Sequence, residues 1–166
     1  MEVKIDYDLN RELIETFESV KDSVRREKGA SRAGLMLGLQ ELGSSPGGFV
    51  GGYYPVFSNI IVMNRTPLRR IRETNPALLR PYAFHILLHE YIHSLGVFDE
   101  NATRQLTWEI SKKRLGEEHP ATLLSTDIHK FFPNLVYPYY GWQPKGEPEV
   151  ELVKGFDKSS YQNYIS

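Results

Sequence analysis

The feature that most constrains this chain is the stretch 82–95, which is apolar on nearly every side when drawn as a helix. Such a helix is typical of a protein interior, so the fold must be built around it. The stretch nevertheless contains His85, His89, Glu90 and His93. Burying these groups without partners would cost several kcal/mol of desolvation. The sequence therefore predicts a polar site at the centre of the fold.

Length and composition favour one globular domain. A chain of 166 residues can bury a core of its own, and we expect a single domain over 1–166. The net charge of −1 gives no reason to expect nucleic acid as a partner. No apolar run is long enough for a signal peptide or a membrane span, so we expect a cytoplasmic protein that does not bind membranes. Cysteine is absent, so any metal must be held by His, Asp or Glu.

The hydrophobic pattern predicts an α+β domain, with a small sheet from the N-terminal half of the chain and further helices after it. Strands are predicted at 3–7, 49–57 and 58–64, and helices at 13–29, 82–95, 99–115 and 121–132. The remaining segment, 133–166, is rich in Tyr and Pro. We consider it a candidate cover for the cleft, although termini are usually only surface.

Residues 89–93 read HEYIH and place two histidines one helical turn apart. Residues at this spacing share a helix face, so His89 and His93 can grip one ion. Two imidazole nitrogens at about 2.0–2.1 Å supply half of a tetrahedral zinc site. Glu90 lies beside the same ion, where it can take a proton from water and pass it to a leaving amine. The motif predicts a Zn2+ site with Glu90 as general base and acid.

A third protein ligand is expected just after the motif, because an open fourth position is needed for water. Gly96 can adopt a left-handed conformation and turn the chain back toward the metal. Asp99 and Glu100 are then both within reach. The residues by themselves do not choose between the two carboxylates.

The HEYIH motif resembles that of the zincin superfamily of metallopeptidases, and two branches imply different third ligands. The pattern HExxHxxGxxD over 89–99 is similar to the metzincin signature and implies Asp99. Metzincins also have a methionine turn, whereas this chain has no methionine after Met63. The small archaeal minigluzincins take the ligand from a glutamate on the next helix, which implies Glu100 with Asp99 as the helix cap. We favour Glu100 and keep Asp99 as the alternative.

The zincin resemblance also implies a fold: a small twisted sheet packed on a buried metal-binding helix, followed by further helices. In zincins an edge strand before that helix aligns the substrate, and residues 59–64 are a candidate for it. The alternative is that these apolar residues form an inner strand. Arg104, one turn after Glu100, is expected to pair with the ligand carboxylate.

Two further histidines are candidates for the second shell or for substrate binding. His85 lies one turn before His89 and could contact substrate, a second metal or a ligand histidine. His129 is one of several candidates for steadying the oxyanion of the intermediate, together with His119 and the tyrosines between 137 and 140. For His119, which precedes a proline, helix capping is the simpler interpretation.

The sequence thus predicts a zinc metallopeptidase that acts on peptide or protein substrates. One alternative is another metal-dependent hydrolase such as a YbeY-like endoribonuclease, in which the basic run at 69–72 would contact RNA. That family lacks the glutamate after its first histidine, and Glu90 argues against it. The other alternative is a non-catalytic interaction module stabilised by zinc, with all four metal positions filled by protein groups.

Overall fold

The computed structural model of the chain describes residues 7–44, 49–127 and 149–158. Helices and a four-stranded mixed sheet together form an α+β architecture. In chain order the elements are α1 (Tyr7–Lys28), β1 (Met36–Gln40), β2 (Gly52–Tyr53), β3 (Ile60–Asn64), α2 (Arg65–Thr74), a 3-10 turn (Pro76–Leu78), α3 (Leu79–Ser94), α4 (Glu100–Leu115), α5 (Pro120–Leu124) and β4 (Glu151–Val153). None of the described helices combines the length and the apolar character needed to cross a bilayer.

The strands lie in the order β2-β3-β1-β4. β3 runs parallel to β1 and antiparallel to β2, and β4 runs antiparallel to β1. The edge-strand interpretation of residues 59–64 is therefore wrong, and the inner-strand alternative is confirmed. Ile61, Val62 and Met63 are all buried, so both faces of β3 are covered. Among the strands that the structure describes, β2 is the edge strand on this side.

The amphipathic helix predicted near the N-terminus is α1. Its apolar stripe of Leu13, Phe17, Val20 and Val24 is buried in the core. The helix ends as predicted at Gly29, whose φ of 67° suits glycine. The strand predicted at 3–7 is wrong at its last residue, which already begins α1, and residues 1–6 lie outside the described part of the chain.

The predicted buried helix is α3, which packs against α1, α4 and α5. Leu87, Leu88 and Tyr91 are completely buried, in agreement with an apolar surface on all sides. Pro81 lies in the first turn of α3. No intrahelical donor is needed there, so the proline fits without breaking the helix.

The later elements close the domain. α4 begins at the residue after Asp99, as predicted, whereas the helix predicted over 121–132 is already complete at Leu124 as α5. Residues 128–148 lie outside the described residues. Of the segment considered as a cleft cover, residues 151–153 form β4, at the sheet edge opposite β2. Behind β4, Phe156 stacks on Phe17 with 4.1 Å between the ring centroids.

Candidate metal centre

The two histidines of the HEYIH motif lie on the last turns of α3, where the chain leaves the core. Gly96 follows with a φ of 104°, a backbone conformation that residues other than glycine rarely adopt. Its amide donates to the carbonyl of His93 at 3.0 Å. This turn reverses the chain and starts α4 at Glu100, so that the first residue of α4 faces the end of α3.

His89, His93 and Glu100 converge on one point. The Nε2 atoms of the two rings are 3.2 Å apart. Two ligands at about 2.05 Å from a tetrahedral ion would be about 3.3 Å apart, so the spacing suits zinc. The Glu100 carboxylate lies 2.7 Å from Nε2 of His93 and 3.3 Å from Nε2 of His89. The donor set is two imidazoles and one carboxylate.

A hydrogen bond on the side away from His89 and Glu100 orients the ring of His93. Its Nδ1 lies 2.7 Å from the carbonyl oxygen of Val97, which can only accept a hydrogen bond. Nδ1 therefore has to carry the proton, and in the neutral ring the Nε2 lone pair faces His89 and Glu100. The Thr103 hydroxyl lies 3.2 Å from this carbonyl oxygen and 2.8 Å from that of Asp99, so it packs the first turn of α4 against the loop beside the His93 ring. Val97 and Thr103 were not singled out from the sequence, because their role depends on how the turn at Gly96 closes.

The structure separates the two candidate third ligands. Asp99 accepts a hydrogen bond from the amide of Ala102 at 2.7 Å and caps α4, whereas Glu100 contacts both imidazoles. Burial opposes ionisation of Glu100, but the attraction of His89 and His93 outweighs it and lowers its pKa. Arg104 reaches within 4.0 Å of the same carboxylate, as the spacing predicts.

Glu90 is the second carboxylate of the centre. It is buried, and its ligand atom lies within 4.8 Å of those of His89 and His93. Glu100 is much closer to both rings, so Glu90 is better placed beside the ion than on it. Burial raises the pKa of Glu90 to about 7, and Glu100 adds to this rise while His93 opposes it. A carboxylate that titrates near neutral pH can both accept and return a proton.

His85 lies one turn below the centre and lines the same cleft. Its Nδ1 is buried without a hydrogen-bond partner among the described residues. Burial, together with the nearby His89, lowers the pKa of His85 to about 4. The ring is therefore neutral at physiological pH. The other candidate for this role, His129, lies outside the described residues, as do the tyrosines between 137 and 140.

A cleft of about 600 Å³ opens beside these side chains, between β2, α3, α4 and the end of α5. Gly51 and Gly52 form one wall. A Cβ on Gly51 would lie 2.5 Å from the Ile86 side chain, and one on Gly52 would lie 2.7 Å from the carbonyl of Val62. The two glycines therefore let bare backbone approach α3. The sequence shows this Gly-Gly pair, but sequence reasoning assigned it only to a strand.

Other residues weighed from the sequence lie away from the centre. The Nδ1 of His119 accepts from the amide of Ala121 at 3.1 Å, so capping is confirmed as its role. Arg69 pairs with Glu41 at 2.8 Å and does not line the cleft. Arg104 is the one cation among the described residues that do.

Comparison of the chain with protein-family models, with curated proteins and with solved structures gave no match. What the protein does must therefore be argued from the chemistry of this centre and its cleft.

Proposed function

We propose that the protein is a zinc-dependent metallopeptidase of the zincin type, with a zincin-like α+β fold. One observation carries the proposal. The Nε2 atoms of His89 and His93 and the Glu100 carboxylate converge at the wall of a cleft, next to the buried carboxylate of Glu90. Under this proposal Glu100 is the third ligand and Asp99 is only the helix cap.

The residues fit Zn2+ in chemistry as well as in spacing. The hydrogen bond that His93 Nδ1 donates to the Val97 carbonyl leaves a lone pair on Nε2 of the neutral ring. With His89 in the same tautomer, two nitrogen lone pairs and the Glu100 carboxylate lie within hydrogen-bond distance of one another. Lone pairs placed this closely repel unless a cation or a proton lies between them. His89, His93 and Glu100 would hold the ion. When bound, zinc polarises a carbonyl group and makes water a stronger acid.

Glu90 supplies the proton transfers. Its carboxylate accepts a proton from the attacking water and then donates it to the nitrogen of the departing amine. The low-dielectric surroundings that raise its pKa to about 7 suit both steps. Arg104 holds the Glu100 carboxylate from the solvent side, and the Val97 carbonyl holds the His93 ring from the protein side. These contacts keep the ligands in place during turnover.

The cleft suits a polypeptide substrate. β2 is an edge strand, and its glycines line the cleft, so an extended peptide can pair with the backbone there. The Nδ1 of His85 is buried without a partner, and the rest of the ring lines the cleft. In the neutral ring the proton is favoured on Nε2, because this leaves only a lone pair buried at Nδ1. His85 would then donate a hydrogen bond to a substrate carbonyl. The endoribonuclease alternative receives no support from Arg69, which is paired with Glu41 outside the cleft.

The test is the variant Glu90→Gln, which removes the proton acceptor and keeps the shape. We expect one zinc per chain to be retained and the rate of peptide hydrolysis to fall by about 100-fold to 10,000-fold. The matched control is Glu73→Gln, because Glu73 is exposed at the end of α2. Undiminished hydrolysis by the Glu90 variant would refute the mechanism. Failure of the wild-type chain to take up zinc would refute the metal centre itself.

A further inference from the structure

Two aromatic side chains are exposed beside the cleft. Phe57 lies in the turn between β2 and β3, and Phe98 lies in the loop between α3 and α4. Phe57 is 90% exposed and Phe98 is 46% exposed. Their rings contact each other edge to face, with the centroids 5.9 Å apart. We call these two residues the aromatic pair. Val56, 54% exposed, extends its apolar surface.

The backbone at Phe57 is strained. The amide of Ser58 donates to the carbonyl of Pro55 at 3.0 Å, which closes a four-residue turn with Phe57 at its third position. Phe57 has a φ of 66° and is the one non-glycine residue with positive φ in the described ranges. Glycine or asparagine is favoured at this position, and a bulky residue there costs about 1–2 kcal/mol. Since the ring is almost fully exposed, packing within the fold does not offset this cost. Strain of this kind often marks a functional position.

The aromatic pair is held in place from below by Arg32. The guanidinium donates to the carbonyl of Ser58 at 2.8 Å and to the hydroxyl of Tyr54 at 2.9 Å, both in the turn that presents Phe57. It also donates to the carbonyl of Ser94 at 2.8 Å, at the end of α3. One arginine thus ties the loop of Phe57 to the start of the loop of Phe98. A surface that is fixed before binding loses little conformational entropy when a partner docks.

Phe98 lies close to the cleft, because it is two residues before Glu100, which lines one wall. Through Phe98 the aromatic pair is a neighbour of the candidate active site. Residues 55–59 and 96–101 contain no Lys or Arg, and their one acidic residue besides Glu100, which faces the histidines, is Asp99. This charge disfavours an anionic membrane surface as the occupant and suits a neutral or basic polypeptide.

From this arrangement we propose that the aromatic pair is a preformed docking surface for apolar side chains of the polypeptide substrate, outside the scissile bond. The inference rests on the proposed peptidase function for the identity of its occupant. An extended chain that lies along β2 continues over the turn at Phe57 and buries an apolar side chain against the two rings. The protein then selects unfolded or extended segments that carry large apolar residues.

The test measures binding without turnover, in the Glu90→Gln background. The probes are a fluorescein-labelled unstructured peptide that contains Leu and Phe and a matched peptide with Ser at those positions. The variant Phe57→Gly removes the ring and relieves the backbone, so the fold keeps or gains stability. We expect it to weaken binding of the apolar peptide by about tenfold and to leave the serine peptide unchanged. The control is Leu152→Ser, because Leu152 is 52% exposed on β4, at the opposite edge of the sheet.

The remaining outcomes overturn the inference. Equal binding by Phe57→Gly and the parent chain removes the aromatic pair from recognition, and so does a parent chain that does not prefer the apolar peptide. Binding to zwitterionic vesicles that is lost in Phe57→Gly, with peptide binding unaffected, assigns the surface to a membrane. A dimer of the parent chain that Phe57→Gly converts to monomer assigns it to a second copy. Since no result depends on hydrolysis, the surface and the proposed peptidase activity fail separately.

Discussion

Asp157 and Glu100 are both carboxylates in contact with nitrogen-bearing side chains, but their surroundings differ. Asp157 is buried, and its oxygens accept from Lys21 Nζ at 2.6 Å and from the amides of Gly34 and Leu35 at 2.9 and 3.3 Å. We call this group the Asp157 cluster. It ties α1 to the loop before β1 and to the chain after β4. Acceptors and donors are matched, as is usual in a structural polar cluster.

We call His89, His93 and Glu100 together the candidate metal centre. Its polar groups are arranged differently from those of the Asp157 cluster. The groups that face its middle are two ring nitrogens and a carboxylate, and the proton of the His93 ring is directed away toward Val97. The Glu100 side chain remains 57% exposed at the cleft, whereas that of Asp157 is fully buried. Two ring nitrogens and a carboxylate gathered at a solvent-accessible wall are groups of the kind that bind a divalent cation. The difference separates a cluster with matched donors and acceptors from one whose chemistry fits an ion.

The largest expected effect concerns zinc and stability. Zinc at about 1,000 times its dissociation constant should stabilise the wild-type chain by about 4 kcal/mol. His93→Ala should remove this gain, because the two remaining ligands do not form a site. Urea unfolding with and without zinc measures both values. A zinc-dependent gain that survives in His93→Ala would show that the ion binds elsewhere.

The Asp157 cluster should behave in the reverse manner. Asp157→Asn removes the charge that pairs with the buried Lys21 ammonium, and the Glu18 carboxylate at 2.9 Å from that ammonium is partly exposed. Loss of a buried charge partner costs about 3 kcal/mol. We expect this loss in urea unfolding, together with an unchanged zinc affinity by calorimetry. A variant that loses zinc affinity along with stability would mean that the two clusters are coupled through the core.

A smaller effect distinguishes the neighbouring carboxylates. Glu100→Gln should weaken zinc affinity by at least tenfold, since a neutral amide is a poorer zinc ligand than a carboxylate. Asp99→Asn is the matched control, because asparagine caps a helix as well as aspartate does. Isothermal titration with zinc checks both variants. If Asp99→Asn is the weaker binder, the metzincin-like assignment of the third ligand is correct.

These two carboxylates also show how far the sequence leads. Three features depend only on residues that are neighbours in sequence: the helix that carries the HEYIH motif, its end at the glycine that follows, and the cap at Asp99. Each of them was predicted from the sequence. The choice between Asp99 and Glu100 is not local. It depends on the φ of 104° at Gly96, which sets the direction in which α4 begins. A change of direction there would exchange the two side chains, so the pattern of residues could not decide between them.

The sheet shows the same limit. The apolar run at 60–64 predicted a strand, and β3 is that strand. Strand order depends on partners distant in sequence: β1 on one side, and β2, which has only two residues, on the other. So short a strand shows no alternation of its own. Arg32 had no motif to mark it, because its partners at Tyr54, Ser58 and Ser94 come together only in the fold.

The smallest expected effect is a dependence of the free energy of unfolding on pH. Single variants should reveal it in protein from which a chelator has removed zinc. Burial lowers the pKa of His85 from 6.5 to about 4. Its contribution to the free energy of unfolding is therefore complete above pH 6.5 and is lost as the pH falls toward 4. Burial raises the pKa of Glu90 from 4.5 to about 7. Its contribution to the free energy of unfolding is therefore complete below pH 4.5 and is lost as the pH rises toward 7. The two slopes oppose each other between pH 4.5 and 6.5.

In wild type the slopes of His85 and Glu90 should nearly cancel in that pH range. A variant that removes one of the two groups should show the slope of the other. We expect the free energy of unfolding of His85→Gln to fall by about 1 kcal/mol for each unit of rising pH, and that of Glu90→Gln to rise by a similar amount. Urea unfolding in the presence of chelator, compared with wild type at each pH, removes the titration that all three proteins share. Parallel curves for the three proteins would contradict the buried, partner-poor surroundings that distinguish this centre from the Asp157 cluster.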